Sequence, residues 1–286
     1  MRLQLVVNPT AGGGRAARRL PAVEQALSAH DVVVTPTRSL EHADELVAAA
    51  VADGRVIVAM GGDGIVGRVA GAAAALGGTM AVVPGGRGND FCRAVGIPLD
   101  PVAACAVVST GTPRAIDLGY ANGHAFIGIA SIGFDSDCQE RGLRTRLPLG
   151  QLVYLYSALA TVASWKPARF SVDVDGVAST VVGWAVAVSN SGMYGGGMRL
   201  APSASVTDGL LDVVSTSATS RLAFLRALPK VFRGTHVEED SVTVVTGRTV
   251  LLDADRPFRV FADGDPIATL PCEITLRPGA LQVLLP

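Results

Sequence analysis

Short β-branched runs alternate with Ala-rich stretches over residues 1–118. Residues 3–7, 32–35, 56–60, 80–83 and 115–118 read as strands, and helical spacing covers 15–29, 43–52, 65–76 and 101–108. Apolar strands that each hand over to a helix predict a parallel sheet with helical crossovers. Gly and Pro mark the strand exits at Asn8-Pro9, Gly61-Gly62 and Pro84-Gly85-Gly86. In open parallel sheets ligands bind beyond the carboxyl ends of the strands, so chemistry is expected in these loops.

The texture changes after Asp117. Strand patterns then dominate, at 125–130, 170–174, 184–189, 211–214, 242–245 and 258–261, with tight-turn signals at Asp175-Gly176, Asp208-Gly209 and Asp263-Gly264. Helical patterns interrupt at 149–164 and 221–231. The expected architecture is an α/β N-terminal domain with a parallel sheet over 1–118, followed by an antiparallel β-sandwich over 119–286. The apolar run 281–285 is able to return to either domain.

Composition narrows the function classes. The 286 residues carry 24 Lys+Arg against 25 Asp+Glu, a formal net charge of -1, which excludes a nucleic-acid partner held by bulk charge. No stretch approaches the ~20 apolar residues that span a bilayer. The N-terminus goes straight into a strand pattern and lacks the apolar region and cleavage site of a secretion signal. Cys92, Cys105, Cys138 and Cys272 are scattered, with no metal-ligand spacing to the four histidines, and read as thiols in a reducing compartment. A cytoplasmic protein is expected, with any contact at the inner membrane surface peripheral. The sequence sets no oligomeric state and leaves a homodimer open.

Three glycine-rich loops carry the chemistry. Asn8-Pro9-Thr10-Ala11-Gly12-Gly13-Gly14-Arg15 joins a strand to a helix, where glycines let backbone N–H groups approach phosphate oxygens. Its loose dinucleotide fingerprint is undercut because no acid closes the second strand, and G-x-x-x-x-G-K-[ST] is absent. Gly61-Gly62-Asp63-Gly64 and Pro84-Gly85-Gly86-Arg87-Gly88-Asn89-Asp90-Phe91 each place an acid just past a glycine-lined strand exit, the latter with Arg87 available to phosphate. Asp117 ends the fifth predicted strand. Asp63, Asp90 and Asp117 are therefore expected to converge at one edge of the sheet, where a divalent cation would relieve their repulsion.

These loops, in this order, resemble the diacylglycerol kinase catalytic-domain family, which includes soluble bacterial diacylglycerol kinases and the sphingosine and ceramide kinases. The first loop is similar to its N-P-x-[SA]-G, residues 61–64 to its G-G-D-G, and residues 84–93 to its P-x-G-T-x-N-D-F-A-R. Further on, Gly195-Gly196-Gly197, Ala201-Pro202-Ser203-Ala204, Asp208-Gly209-Leu210-Leu211-Asp212 and Asp263-Gly264-Asp265-Pro266 resemble later family elements. The resemblance implies a fold like those of NAD kinase and phosphofructokinase, and an ATP- and Mg2+-dependent kinase of a lipid hydroxyl, most simply diacylglycerol giving phosphatidic acid. A sphingoid or NAD acceptor, or a degenerate nucleotide- or lipid-binding regulator, stands as the alternative.

The resemblance also assigns roles. Asn8, Pro9, Thr10, Ala11, Gly12, Thr37, Gly61, Gly62, Asp63, Gly64, Ile65, Val66 and Gly67 would border ATP, and Arg87 would lie near its phosphates. Asp265 would accept the hydroxyl proton, with Asp63 and Asp263 as the other catalytic acids. Asp208, with the carbonyls of Ser205 and Leu210, would hold a structural Mg2+, and Asp63, Asp90 and Asp117 would organise a catalytic one through water. The chain departs from the family where Ile65 and Arg87 replace threonines, Gly67-Arg68 replaces Asn-Glu, and Asp265 replaces a longer Glu. A shorter base must sit closer to its substrate.

Other side chains have less specific readings. Arg15 is placed to touch phosphate, while Arg18 and Arg19 read as solvated. Arg141, Arg144 and Arg146 form a basic cluster readable as a charged loop or as a contact for anionic headgroups. His236 reads as a surface residue. Phe134, Met193 and Tyr194 fit either an acceptor pocket or the core.

Overall fold

The computed structural model describes residues 1–144 and 152–286. The first half runs β1 (Arg2–Val7), α1 (Ala11–Ala26), β2 (Asp31–Pro36), α2 (Leu40–Ala52), β3 (Val56–Gly61), α3 (Asp63–Ala75), β4 (Thr79–Pro84), α4 (Asp90–Ala94) and α5 (Pro101–Thr110). Next come β5 (Thr112–Ala121), β6 (His124–Phe126), β7 (Ile129–Gly133), α6 (Phe134–Arg144), α7 (Leu152–Ser164), β8 (Ala168–Val174) and β9 (Val177–Ser189). The rest comprises β10 (Met193–Tyr194), β11 (Met198–Arg199), β12 (Leu211–Ser217), α8 (Arg221–Arg233), a 3-10 turn at Thr235–Glu238, β13 (Val242–Gly247), β14 (Thr249–Ala254), β15 (Arg259–Ala262), β16 (Asp265–Thr269) and β17 (Cys272–Leu285).

Strands β2, β1, β3 and β4 pair in parallel in that order. Alternate residues explain why they are apolar throughout. Val6, Ile57, Ala59, Met80 and Val82 pack with residues of α2 and α3, while Leu5, Val7, Val58, Met60 and Val83 pack with residues of α1 and α5. Successive strand side chains point to opposite faces, so a sheet covered by helices on both sides has no polar face.

The fifth strand departs from expectation. β5 runs well past residues 115–118 and is antiparallel to β17 from Thr112↔Leu285 to Ala121↔Ile274, with a bulge between Arg277 and Leu281. The end of β17 lies parallel to β4, at Gln282↔Thr79 and Val283↔Met80. Its first half pairs instead with β14 in the second domain. The β5–β17 ribbon thus runs through both halves of the molecule.

In the second domain the order β17, β14, β8, β9 is antiparallel, and the second half of β9 is flanked by β7 and β12. Strand β15 joins β7, and β16 folds back on β15. The core between the layers is aromatic. Trp184 stacks on Phe224 with ring centroids 4.0 Å apart, and Phe134 meets Trp184 edge-on at 5.6 Å. Such pairs contribute about 0.5–1.5 kcal/mol each beyond burial.

Three sequence readings are corrected here. The stretch 125–130 is two strands, broken at Ile127-Gly128. Helix α6 went unanticipated because Phe134 is its only buried large apolar residue and its sequence has no apolar stripe. His236 is only 3% exposed, with neither ring nitrogen meeting hydrogen-bond geometry, and burial lowers its pKa. The expected helix start at Leu149, and Arg146, lie outside the described residues. No disulfide forms: Cys92, Cys105 and Cys272 are buried and Cys138 half-buried.

Candidate active site

The first loop is built by local hydrogen bonds. Asn8 Oδ1 accepts from the Thr10 N–H at 3.1 Å and its hydroxyl at 2.8 Å, which turns the chain at Pro9. Gly12, Gly13 and Gly14 follow at φ 62, 69 and 80°, three successive left-handed residues before the helix is regular. Each would cost an L-residue roughly 1–2 kcal/mol, so glycine is required to coil the loop this tightly. Thr37 closes its other side, donating its N–H and hydroxyl to the Val7 carbonyl.

The second and third loops lie against the first. Gly85 N–H donates to the Gly61 carbonyl at 2.7 Å, and Asn8 N–H to the Met60 carbonyl at 2.9 Å. Asn89, itself left-handed at φ 52°, accepts from the Gly86 N–H at 2.9 Å. Arg15 donates to the Gly86 carbonyl and so ties the first loop to the third, while Arg18 donates to the Gly13 carbonyl within the first. Arg87 is exposed, with its guanidinium over Gly13.

Four carboxylates gather beside this floor. Asp63 opens α3, and its Oδ1 accepts from the Asp90 and Phe91 N–H groups at 2.7 and 3.3 Å. Burial, then the charge of Asp90, raises its pKa to about 6. The Asp90 carboxylate accepts the Gly196 N–H at 2.9 Å, which brings the glycine turn between β10 and β11 onto the third loop. Burial pushes Asp90 up as well.

Asp263 and Asp265 arrive from the β15–β16 hairpin. Asp263 Oδ2 and Oδ1 accept the Ile127 and Gly128 N–H groups, each at 2.9 Å, which is why the chain breaks between β6 and β7. Burial first, with Asp63 and Asp265 nearby, lifts its pKa to about 7. The hairpin presses on α3 so closely that a Cβ on Gly64 would lie 2.4 Å from Asp265 Oδ2, and one on Gly67 2.4 Å from Asp263 Oδ2. Among the described residues no hydrogen bond engages the Asp265 carboxylate, and burial raises its pKa. Asp265 Oδ2 thus lies against Gly64, the residue that follows Asp63 in the first turn of α3.

Other expected site residues lie elsewhere. Asp117 sits mid-strand in β5 and does not join the other acids. Only 3% exposed, it accepts the Gly209 N–H on Oδ2 and the Gly279 N–H on Oδ1, both at 2.8 Å. It was misplaced because β5 was read as a parallel strand ending at residue 118. Ile65 is 4% exposed and packed beneath Gly61, and Val66 is also in the core, so neither side chain reaches the loop surface. Arg68 forms a two-pronged pair with Asp44 of α2, its Nε 2.9 and 3.1 Å from the two oxygens.

The turn at 205–210 is stabilised by Asp208 Oδ1 accepting the Leu210 N–H at 3.0 Å. Its remaining oxygen and the carbonyls of Ser205 and Leu210 are hard donors of the kind Mg2+ takes. Among the described residues no three His, Cys, Asp or Glu side chains converge to hold a metal directly.

Asp135 is a residue the sequence reading missed, because it lies in the unanticipated α6. The Tyr194 hydroxyl reaches its Oδ2 at 3.4 Å, and burial lifts its pKa to about 6. Phe134 is core. A concavity of about 620 Å3 against Ser171, Thr180 and Leu251 includes none of the clustered acids. Its own acidic residues are Asp173, Asp253 and Glu273.

Residues 2–121 match the family model of the diacylglycerol kinase catalytic domain, and residues 128–285 that of the YegS C-terminal NAD kinase beta sandwich-like domain. The chain belongs to the diacylglycerol kinase family. A diacylglycerol kinase of Mycobacterium tuberculosis is 36% identical, over 98% of this chain and 94% of that protein. One from Bacillus subtilis is 29% identical over 100% and 96%. The crystal structure of a candidate diacylglycerol kinase from Bacillus anthracis superposes with a TM-score of 0.82 at 25% identity, covering 100% of this chain and 97% of that one. The enzyme is thus a lipid kinase, with an α/β domain and a β-sandwich meeting at the acid cluster. Among its described residues no helix is long and apolar enough to cross a membrane.

Proposed function

We propose that this lipid kinase transfers the γ-phosphoryl group of ATP to the free hydroxyl of diacylglycerol, forming phosphatidic acid. One observation carries the reading: the unengaged carboxylate of Asp265 lies against Gly64, at the mouth of the glycine-floored loops. The relatives named diacylglycerol kinase support the choice of acceptor.

The first turn of α3 offers backbone N–H groups to the phosphates, and Arg87 adds charge. Asp265 accepts the hydroxyl proton as the acceptor oxygen bonds to the γ-phosphorus. The bond from that phosphorus to its bridging oxygen breaks, and ADP leaves. Asp63 and Asp90 would hold Mg2+, which when bound supplies charge neutralisation on the phosphates. Asp263 fixes the hairpin that carries Asp265, by way of Ile127 and Gly128. The Gly196 N–H holds the Asp90 carboxylate on that side.

The test offers diacylglycerol, sphingosine and NAD in turn with γ-labelled ATP and Mg2+, and identifies the product by mass. Labelled phosphatidic acid, lost in Asp265→Asn, is expected. Preferential labelling of sphingosine or NAD would replace the acceptor. No turnover above Asp265→Asn on any of the three would reject catalysis.

A further inference from the structure

We infer that α8 docks this kinase on an anionic membrane surface. The inference rests on the lipid-acceptor reading of the cleft, and it concerns a face of the molecule that the chemistry does not use.

Helix α8 is complete without its outer face. Ser220 caps its start by accepting the Ala223 N–H, and Gly234 ends it in the left-handed conformation at φ 75°. Its inner side is anchored by Phe224 against Trp184 and Phe134, and by buried Val231. Leu222, Arg226, Pro229 and Arg233 follow at spacings of four, three and four and are all exposed, so they form one outward line. Two large apolar side chains stay in water: Leu222 is 57% exposed and Phe232 54%.

The charge on this helix has one sign. Arg221, Arg226, Lys230 and Arg233 are its ionised residues, and no Asp or Glu lies between Asp212 and Glu238. Lys230 pairs with Glu239, and Arg221 donates to the Trp165 carbonyl. Among the described residues no hydrogen bond or ion pair engages Arg226 or Arg233. A basic helix with exposed apolar residues matches the surface of a bilayer, whose anionic headgroups meet the cations while Leu222 and Phe232 enter the interface. A second copy of the chain fits poorly, since a two-fold contact would set these cations against themselves.

Co-sedimentation of the full chain with vesicles tests this. Wild type should bind phosphatidylcholine vesicles carrying roughly 30 mol% phosphatidylglycerol and should bind pure phosphatidylcholine weakly, each cation near the surface contributing about five-fold. Arg226→Glu with Arg233→Glu should weaken binding at least ~10-fold, and Leu222→Ser with Phe232→Ser should weaken it separately. Both variants should melt as wild type does and phosphorylate a short-chain, water-dispersed diacylglycerol at the wild-type rate. If a variant melts early, raised salt on wild type replaces it and should release the protein from vesicles. Unchanged vesicle binding in folded variants, or no preference of wild type for phosphatidylglycerol, overturns the proposal, the latter leaving an acidic protein as the partner of α8. Failure of wild type on the short-chain substrate would instead strike the acceptor reading and leave the binding result legible.

Discussion

Asp63 and Asp263 carry an electrostatic cost that the folded chain does not relieve by itself. Their pKa values stand at about 6 and about 7, mainly through burial and secondly through their charged neighbours. A carboxyl whose folded pKa is raised adds stability below its unfolded pKa, and that stability is lost as pH climbs through the folded pKa. The protein without ligands should therefore lose stability from about pH 4 to 7 on account of these groups. Asp63→Asn keeps an acceptor for the Asp90 and Phe91 N–H groups while removing the charge. It should raise the thermal midpoint at pH 8, worth about 1 kcal/mol, and do so less at pH 5, while activity collapses. Calorimetry at the two pH values checks this. On the proposed role of Asp265 the activity has the opposite sign: a proton acceptor works only when ionised, and burial raises the Asp265 pKa. The pH–rate profile should consequently fall on the acid side at higher pH than an exposed Asp would give, and an Asp265→Glu variant should shift that limb.

At the level of elements, α3 and the β15–β16 hairpin approach each other through glycine. Ala in place of Gly64 favours a helix by about 1 kcal/mol. Its Cβ, however, falls where Asp265 Oδ2 now lies. Gly64→Ala should thus melt no earlier than wild type yet lose more than ~10-fold in kcat, because a base displaced from hydrogen-bonding range fails. Asp117 belongs to a different element pair. Its carboxylate joins the 205–210 turn and the β17 bulge to β5. Asp117→Ala leaves two N–H groups unpaired and should cost about 2–4 kcal/mol in urea unfolding. Its kcat per folded molecule should fall far less than that of Asp265→Asn.

Elements differ in how well the sequence announces them. The strand–glycine–helix units around Gly12, Gly61 and Gly85 are local, and their turn residues stand in the chain order itself. The partner of β5 lies more than 150 residues away, so no local pattern separates a parallel strand from the antiparallel ribbon it forms with β17. Asp117 was misassigned for that reason. Asp135 was invisible because polar α6 has no apolar stripe, and the inward side chain of Ile65 follows from helix phase under Gly61.

For the molecule as a whole, the two domains are joined by the β5–β17 ribbon and meet again where Gly196 covers Asp90 and Asp265 meets Gly64. On the proposed function the nucleotide floor comes from one domain and the proton acceptor from the other, so catalysis should depend on their relative placement to within a hydrogen bond. The most direct test is a single-turnover measurement with saturating Mg-ATP and diacylglycerol, comparing wild type with Asp265→Asn alongside their affinities for ATP. The expected outcome is transfer slowed ~10²–10⁴-fold with ATP affinity within about three-fold of wild type. Transfer by Asp265→Asn at the wild-type rate would contradict the role given to Asp265.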